Sequence, residues 1–152
     1  MTTVQQILDV KGHEVFSIEQ DATVFVAIEL MADKGIGAIL VMDSGNVVGI
    51  ISERDYARKV IIKGKSSQQT LVKDIMTTHV IYAHRNQSFE ECMALMTEKR
   101  IRHLPVLDGE QLVGLITMGD LVKSIIAEQR YTIEQLEHYI SRHMKTKISS
   151  SD

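Results

Sequence analysis

Gly114-Leu115-Ile116-Thr117-Met118-Gly119-Asp120 joins an apolar run to an amphipathic one, and its pattern recurs upstream as Gly49-Ile50-Ile51-Ser52-Glu53-Arg54-Asp55. Each stretch has a glycine, two aliphatic residues, a hydroxyl residue, two variable positions and an aspartate. The run before each reads as a strand and the run after it as a helix. At such a corner backbone N–H groups are free and the helix dipole favours anions. A hydroxyl and a carboxylate there suit a phosphate and a ribose diol. The same spacing is also a helix-capping box, which needs no ligand. The chain has other boxes at Ser88–Glu91 and, with glutamine, Thr132–Gln135. Duplication is what sets the two corners apart from these.

Laying Val15–Ile61 on Val80–Ile126, an offset of 65, aligns 47 positions without a gap and gives 12 identities. Unrelated stretches of ordinary composition would share about 3. The identities include Met31/Met96, Asp43/Asp108, Gly49/Gly114 and Asp55/Asp120, and Ser52/Thr117 is conservative. Upstream, Val4-Gln5-Gln6-Ile7-Leu8 echoes Val72-Lys73-Asp74-Ile75-Met76. Two copies are too few for a solenoid. A unit of about 60 residues is marginal alone, so the halves are expected to pair about a pseudo-twofold axis. The chain divides into residues 1–65, 66–129 and 130–152.

The 152 residues carry a net charge of −3 with both signs interspersed, and no basic stripe points to nucleic acid. No apolar run reaches membrane-span length, and the N-terminus lacks a secretory pattern. The single cysteine, Cys92, excludes an internal disulfide and fits a reducing, cytoplasmic setting. Eight methionines and no tryptophan imply an aliphatic core. The six histidines (13, 79, 84, 103, 138 and 143) show no metal-ligand spacing.

Periodicity predicts a lead-in helix over 3–8 and a strand at Phe16–Ile18. A helix runs from Thr23 to a glycine stop at Gly35. A doubly buried strand, Ala38–Met42, turns at Asp43–Asn46 into Val47–Ile51. Ser52 then opens a helix to about Ile62. Polar Gly64–Thr70 is a linker. The second copy repeats the order, with strands at Val80–Ala83, His103–Leu107 and Gln111–Ile116, and a helix over Thr117–Glu128. Ser88 and Glu91 cap its first helix. Pro105 places its strand at an edge or makes it irregular. A separate helix over 132–144 carries Ile133, Leu136, Ile140 and Met144 on one stripe, and Lys145–Asp152 reads as a frayed tail.

The duplicated corner, Arg102-His103-Leu104-Pro105-Val106, the hairpins at Asp43 and Asp108, and Val72-Lys73-Asp74-Ile75-Met76-Thr77 resemble cystathionine-β-synthase (CBS) domains. The resemblance covers about residues 4–128 and makes the chain similar to a stand-alone tandem pair, a Bateman module. It implies an α+β fold of two pseudo-twofold-related CBS repeats. Each repeat is a three-stranded sheet with helices on one face, and an extra C-terminal helix follows. It also implies two clefts that hold AMP, ADP, ATP, NAD(H) or S-adenosylmethionine, a regulated partner protein and a homodimer. Copy one departs from the motif at Gly37-Ala38, which lacks the Arg-His.

On this resemblance Asp55 and Asp120 take ribose hydroxyls, with Ser52 and Thr117 near ribose or phosphate and Met118 and Gly119 at the same corner. A carboxylate suits a diol because it accepts two hydrogen bonds. Arg102 and His103 serve the Asp55 cleft, and Arg54 serves the Asp120 cleft. Arginine suits phosphate through its bidentate fork. Adenine lies near Phe16–Ile18 and near Ile81, Tyr82 and Ala83. Each residue also has a plainer role: Arg54 as a solvated first-turn residue, the aspartates as caps, Cys92 as core. Three functions stay open: a non-catalytic nucleotide sensor, an enzyme, and a constitutive dimeric adaptor with vestigial clefts. The sequence shows no nucleophile–base pair, no Walker loop and no Gly-x-Gly-x-x-Gly.

Overall fold

Thr23 and Ser88 start the matching 11-residue helices of the two halves in the same way. Each sits in extended backbone, and its hydroxyl accepts the N–H three residues on, from Val26 and Glu91. The computed structural model describes residues 2–150. In chain order the elements are α1 (Val4–Lys11), β1 (Ser17–Glu19), α2 (Val24–Lys34), β2 (Ala38–Asp43), β3 (Asn46–Ser52) and α3 (Glu53–Tyr56). A wide π-helical turn, Ala57–Ile61, extends α3. Then come α4 (Val72–Ile75), β4 (Ala83–His84), α5 (Phe89–Lys99), β5 (His103–Asp108), β6 (Gln111–Thr117) and α6 (Met118–Ser150).

The offset of 65 reappears in space. Two three-stranded sheets have the orders β1-β2-β3 and β4-β5-β6, each with one parallel and one antiparallel pairing. Both hairpins slip register at the same place, after Val41 and after Val106. The strands β2 and β5 are mostly buried, which their continuous apolar runs anticipate. One sheet with its helices buries Val24, Met31, Ile39, Val41 and Ile51; the other buries Phe89, Cys92, Met96, Leu104 and Ile116. This is the expected α+β pair of repeats.

The lead-in helices exchange places. Val4, Ile7 and Leu8 of α1 pack into the core of the second copy, whereas Val72 and Ile75 of α4 pack into that of the first. Backbone bonds hold the exchange: Val4 N–H donates to Gln87 O and Phe89 N–H to Thr2 O, and, at the other end of the pseudo-twofold, Val24 N–H to Thr70 O and Val72 N–H to Ala22 O.

Two expected elements differ. The strand expected at Val80–Ala83 is only Ala83–His84. In the first copy Leu40 N–H donates to Phe16 O at 3.3 Å. Pro105, the counterpart of Leu40, has no N–H to give, so the second ladder starts later, at Ala83–Val106. Pro105 therefore stands in a central strand rather than an edge strand, at a point β4 does not reach. The second difference is at the C-terminus. The helix starting at Thr117 and the helix over 132–144 are one 33-residue helix, α6. Thr132 is interior to it, its hydroxyl donating to Glu128 O at 3.0 Å, so the apparent box at Thr132–Gln135 caps nothing. The helix also runs on past Lys145 to Ser150, while residues 151 and 152 of the expected tail lie outside the described residues.

The glycine of each corner lets a lead-in helix approach. A Cβ on Gly49 would stand 2.8 Å from Thr77 O and 2.7 Å from Met76 Sδ; one on Gly114 would stand 2.6 Å from a methyl of the fully buried Leu8. Gly49→Ala and Gly114→Ala are therefore expected to cost about 1–3 kcal/mol each in urea unfolding. Gly49→Ala should cost more, because a backbone carbonyl yields less readily than a side chain. An unchanged unfolding midpoint in either variant would contradict the close packing.

Candidate ligand clefts

A cavity of about 450 Å³ opens between the two copies. The first copy contributes Gly37 and the corner residues Ser52, Arg54 and Asp55; the segment after α4 contributes Thr77 and His79; the second copy contributes Ile81, Arg100, Arg102 and His103. The corner is a complete capping box. Ser52 Oγ accepts Asp55 N–H at 3.2 Å, and Asp55 Oδ2 accepts Ser52 N–H at 3.0 Å. The box also holds the buried Asp55 carboxylate at the cavity wall, so capping and ligand contact do not compete for position. Asp55 Oδ1 meets Lys59 Nζ at 3.0 Å and accepts the Thr77 hydroxyl at 3.5 Å.

The cavity also holds cations, Arg54 beside Asp55 and Arg100 and Arg102 from the second copy. Among the described residues, the side chains of Arg54, Arg100 and Arg102 make no hydrogen bond or ion pair. Burial, with Lys11 and Arg102 behind it, holds His103 below the ordinary imidazole value against the opposing pull of Asp120. His103 is thus neutral at pH 7 and ready to take a proton if an anion arrives.

The second corner is arranged differently. Thr117 Oγ1 accepts Asp120 N–H at 3.2 Å and Asp120 Oδ2 accepts Thr117 N–H at 2.8 Å, but Lys11 Nζ also lies 2.7 Å from that Oδ2. Burial alone would raise the Asp120 carboxyl; the Lys11 ammonium and the Thr117 N–H and hydroxyl outweigh it and hold the group below its ordinary value. The open groove beside Asp120 runs between α1 and α6, past Gln6, Lys123, Glu128 and Tyr131. Thr117, Met118, Gly119, Phe16 and Ile18 are not among its lining residues. Met118 packs on the second core and Phe16 and Ile18 on the first, with Lys34 Nζ 5.1 Å above the Phe16 ring.

Of the residues singled out in the sequence, Ser52, Arg54, Asp55, Ile81, Arg102 and His103 come together in one cavity. Arg54, expected beside Asp120, lines the Asp55 side instead. Ala83 is fully buried in the second core, and Tyr82 does not line the cavity. Thr77, His79 and Arg100, with Glu53 and the apolar Ile50, Val80 and Ile101, are lining residues that sequence reasoning missed. Arg100 carried a signal: it stands in the left-handed conformation (φ 55°) where the first copy has Gly35 (φ 65°). A side chain at that position is unusual.

Burial, then Glu91, pushes the Cys92 thiol up to about 11. Among the described residues no group of three or more His, Cys, Asp or Glu could hold a metal ion, and no helix is long and apolar enough to cross a membrane.

The CBS domain family model matches residues 7–62 and 72–127. A protein with CBS domains from Burkholderia ambifaria is 55% identical, with a TM-score of 0.82 over 84% of this chain and 96% of its own. The mitochondrial CBS domain-containing protein CBSX3 of Arabidopsis thaliana is 35% identical over 91% of this chain and 72% of its own length. The CBS domain pair of protein MJ0100, solved with 5′-methylthioadenosine and S-adenosyl-L-methionine, is 25% identical, with a TM-score of 0.75 over 84% of this chain and 98% of its own.

Proposed function

Since the chain belongs to the CBS-domain family as a tandem pair of repeats, we propose that it is a non-catalytic regulatory module that senses an adenosine-containing, phosphate-bearing ligand in the Asp55 cavity. The observation that carries this reading is the cavity itself, where a carboxylate fit for a diol, with Arg54 beside it, faces Arg100 and Arg102 across the repeat boundary. The ribose hydroxyls bond Asp55 in place of its Lys59 and Thr77 contacts. The base lies against Ile81, and the phosphate takes Arg102, Arg100 and His103. The cationic wall favours AMP, ADP, ATP or NAD(H) over cationic S-adenosylmethionine. The adenosine ligands of MJ0100 support the ligand class. The module works in the cytoplasm, where its one buried thiol stays reduced. It passes the ligand signal to a regulated protein and acts as a homodimer joined through α6.

A panel of AMP, ADP, ATP, NAD(H), adenosine and S-adenosylmethionine tests the reading. A ligand at 100 times its Kd should stabilise the fold by about 2.7 kcal/mol, a readily visible rise in Tm. Failure of every ligand in the panel would defeat it, and turnover of ATP or NAD would restore the enzyme alternative.

His103 adds a pH signature. Phosphate stabilises the charged imidazole, so binding raises its pKa and draws in a proton. AMP affinity should therefore rise as pH falls from about 8 to about 6.5, above the phosphate's own second pKa of ~6. Adenosine affinity should be flat, and His103→Gln should flatten the AMP profile. Calorimetry in buffers of different ionisation enthalpy reads the proton uptake directly; no uptake by AMP would remove His103 from the phosphate site.

A further inference from the structure

We infer that Arg100 is a specificity residue, which makes the Asp55 cavity a site for an adenosine carrying two linked phosphates rather than one. This rests on the reading of that cavity as an adenosine-ligand site and narrows it to a ligand class. Arg100 ends α5 in the left-handed conformation (φ 55°), and its N–H donates to Met96 O. Ile101 N–H donates to the same carbonyl at 3.0 Å. In the first copy Gly35 (φ 65°) and Ile36 close α2 with the same two bonds, to Met31 O. Glycine makes this cap without strain, whereas a side chain there crowds the backbone. The other non-glycine residue with positive φ among the described residues is Ser44, in the two-residue turn between β2 and β3, and that turn requires it. Arg100 has no such local reason. Its side chain is exposed, makes no hydrogen bond or ion pair, and lines the cavity. A strained residue whose side chain does nothing for the fold points to a ligand contact.

The cavity grades from a buried diol acceptor to a cationic mouth. Asp55 is buried, His103 is half-buried, and Arg54, Arg100 and Arg102 are exposed. A ribose held on Asp55 leaves its phosphates to meet the arginines. One phosphate monoester carries about −1.5 to −2 charges at pH 7, which two arginines neutralise. The third is left for a second phosphate, whose oxygens suit its fork. This excess belongs to the Asp55 cavity alone. At the offset of 65, Arg100, Arg102 and His103 fall on Gly35, Gly37 and Ala38, and Arg54 falls on Gly119. None of the four recurs at the second corner.

Isothermal titration of the full chain with adenosine, AMP, ADP and NAD tests this, in metal-free buffer so that no cation masks the diphosphate. Wild type should bind ADP or NAD about tenfold or more tighter than AMP, the scale of a hydrogen bond to a charged group. Preference for ADP marks a terminal diphosphate, and preference for NAD a bridging one. Arg100→Gly should remove the preference while adenosine affinity stays within about twofold. Its urea midpoint should be unchanged or higher, because glycine relieves the strain. Arg100→Gln keeps the strain but not the charge, and should lose the preference equally. AMP that binds wild type as tightly as ADP and NAD do, or a preference retained in either variant, overturns the inference while the Asp55 reading stands. No binding of any of the four compounds to wild type overturns both.

Discussion

Asp55→Ala should weaken AMP binding at the inter-repeat cavity by about a hundredfold or more, while the chain stays folded. Each hydrogen bond from a hydroxyl to a carboxylate contributes roughly 1.5–3 kcal/mol, and the diol makes two. The carboxylate is buried at the wall, so no water-filled space replaces it at low cost. Stability should change much less. The side chain caps α3 together with Ser52, and losing such a cap costs about 1 kcal/mol. Calorimetry and urea unfolding on the same preparation separate the two effects. Asp55→Asn sharpens the test, since an amide of the same size can still cap but offers only one acceptor. A folded Asp55→Ala variant that binds AMP as wild type does would remove the diol assignment.

Truncation after Arg130 should weaken self-association by a hundredfold or more. Every described side chain from Gln129 to Lys145 is exposed, and Ile133, Leu136, Ile140 and Met144 are 54–58% exposed. The module therefore does not cover the stripe. Most helical stability in proteins comes from packing an amphipathic face. Its charges favour a second copy running antiparallel: from 128 to 145 Glu128, Glu134 and Glu137 come before Arg142 and Lys145, with Arg130 the exception. Reversing one helix against the other sets each acidic half beside a basic one and opposes the two dipoles. Burying even two such side chains per copy contributes about 1.5–3 kcal/mol each. Sedimentation velocity should show a dimer for the full chain at micromolar concentration and a folded monomer after truncation. Ile133→Glu with Ile140→Glu should act alike. A full chain that is monomeric with and without AMP would refute the dimer. A truncated chain that dimerises as tightly would place the interface elsewhere.

Local chemistry made much of this architecture readable. Thr23, Ser88 and Gly35 announce helix ends because caps act within a few residues, and the continuous apolar runs at Ala38 and Leu104 announce buried strands. The resemblance to CBS domains, not the alignment alone, set Arg102 and His103 beside Asp55, and both line its cavity. What depended on long-range partners stayed hidden. Pro105 speaks for an edge strand until one sees that β4 ends short of it. Thr132 has the spacing of a cap, yet α6 is already running when it arrives. Lys11 looks like any basic residue in a last turn, and only the crossing of α1 onto the other copy brings it to Asp120, more than a hundred residues away.

That crossing also sets an order of events during synthesis. The helix α1 leaves the ribosome ahead of both sheets, but its docking surface includes Leu104, Ile116 and Leu121, which appear only after most of the pair has been made. The first half, by contrast, closes as soon as Val72 and Ile75 emerge. The helix α1 must therefore wait, with Val4, Ile7 and Leu8 uncovered, while the first half folds ahead of it. Such a delay favours slow completion and trapping by chaperones or by another nascent chain. It also means that two fragments cut at the linker, each lacking the helix its own core needs, should be far more soluble expressed together than apart.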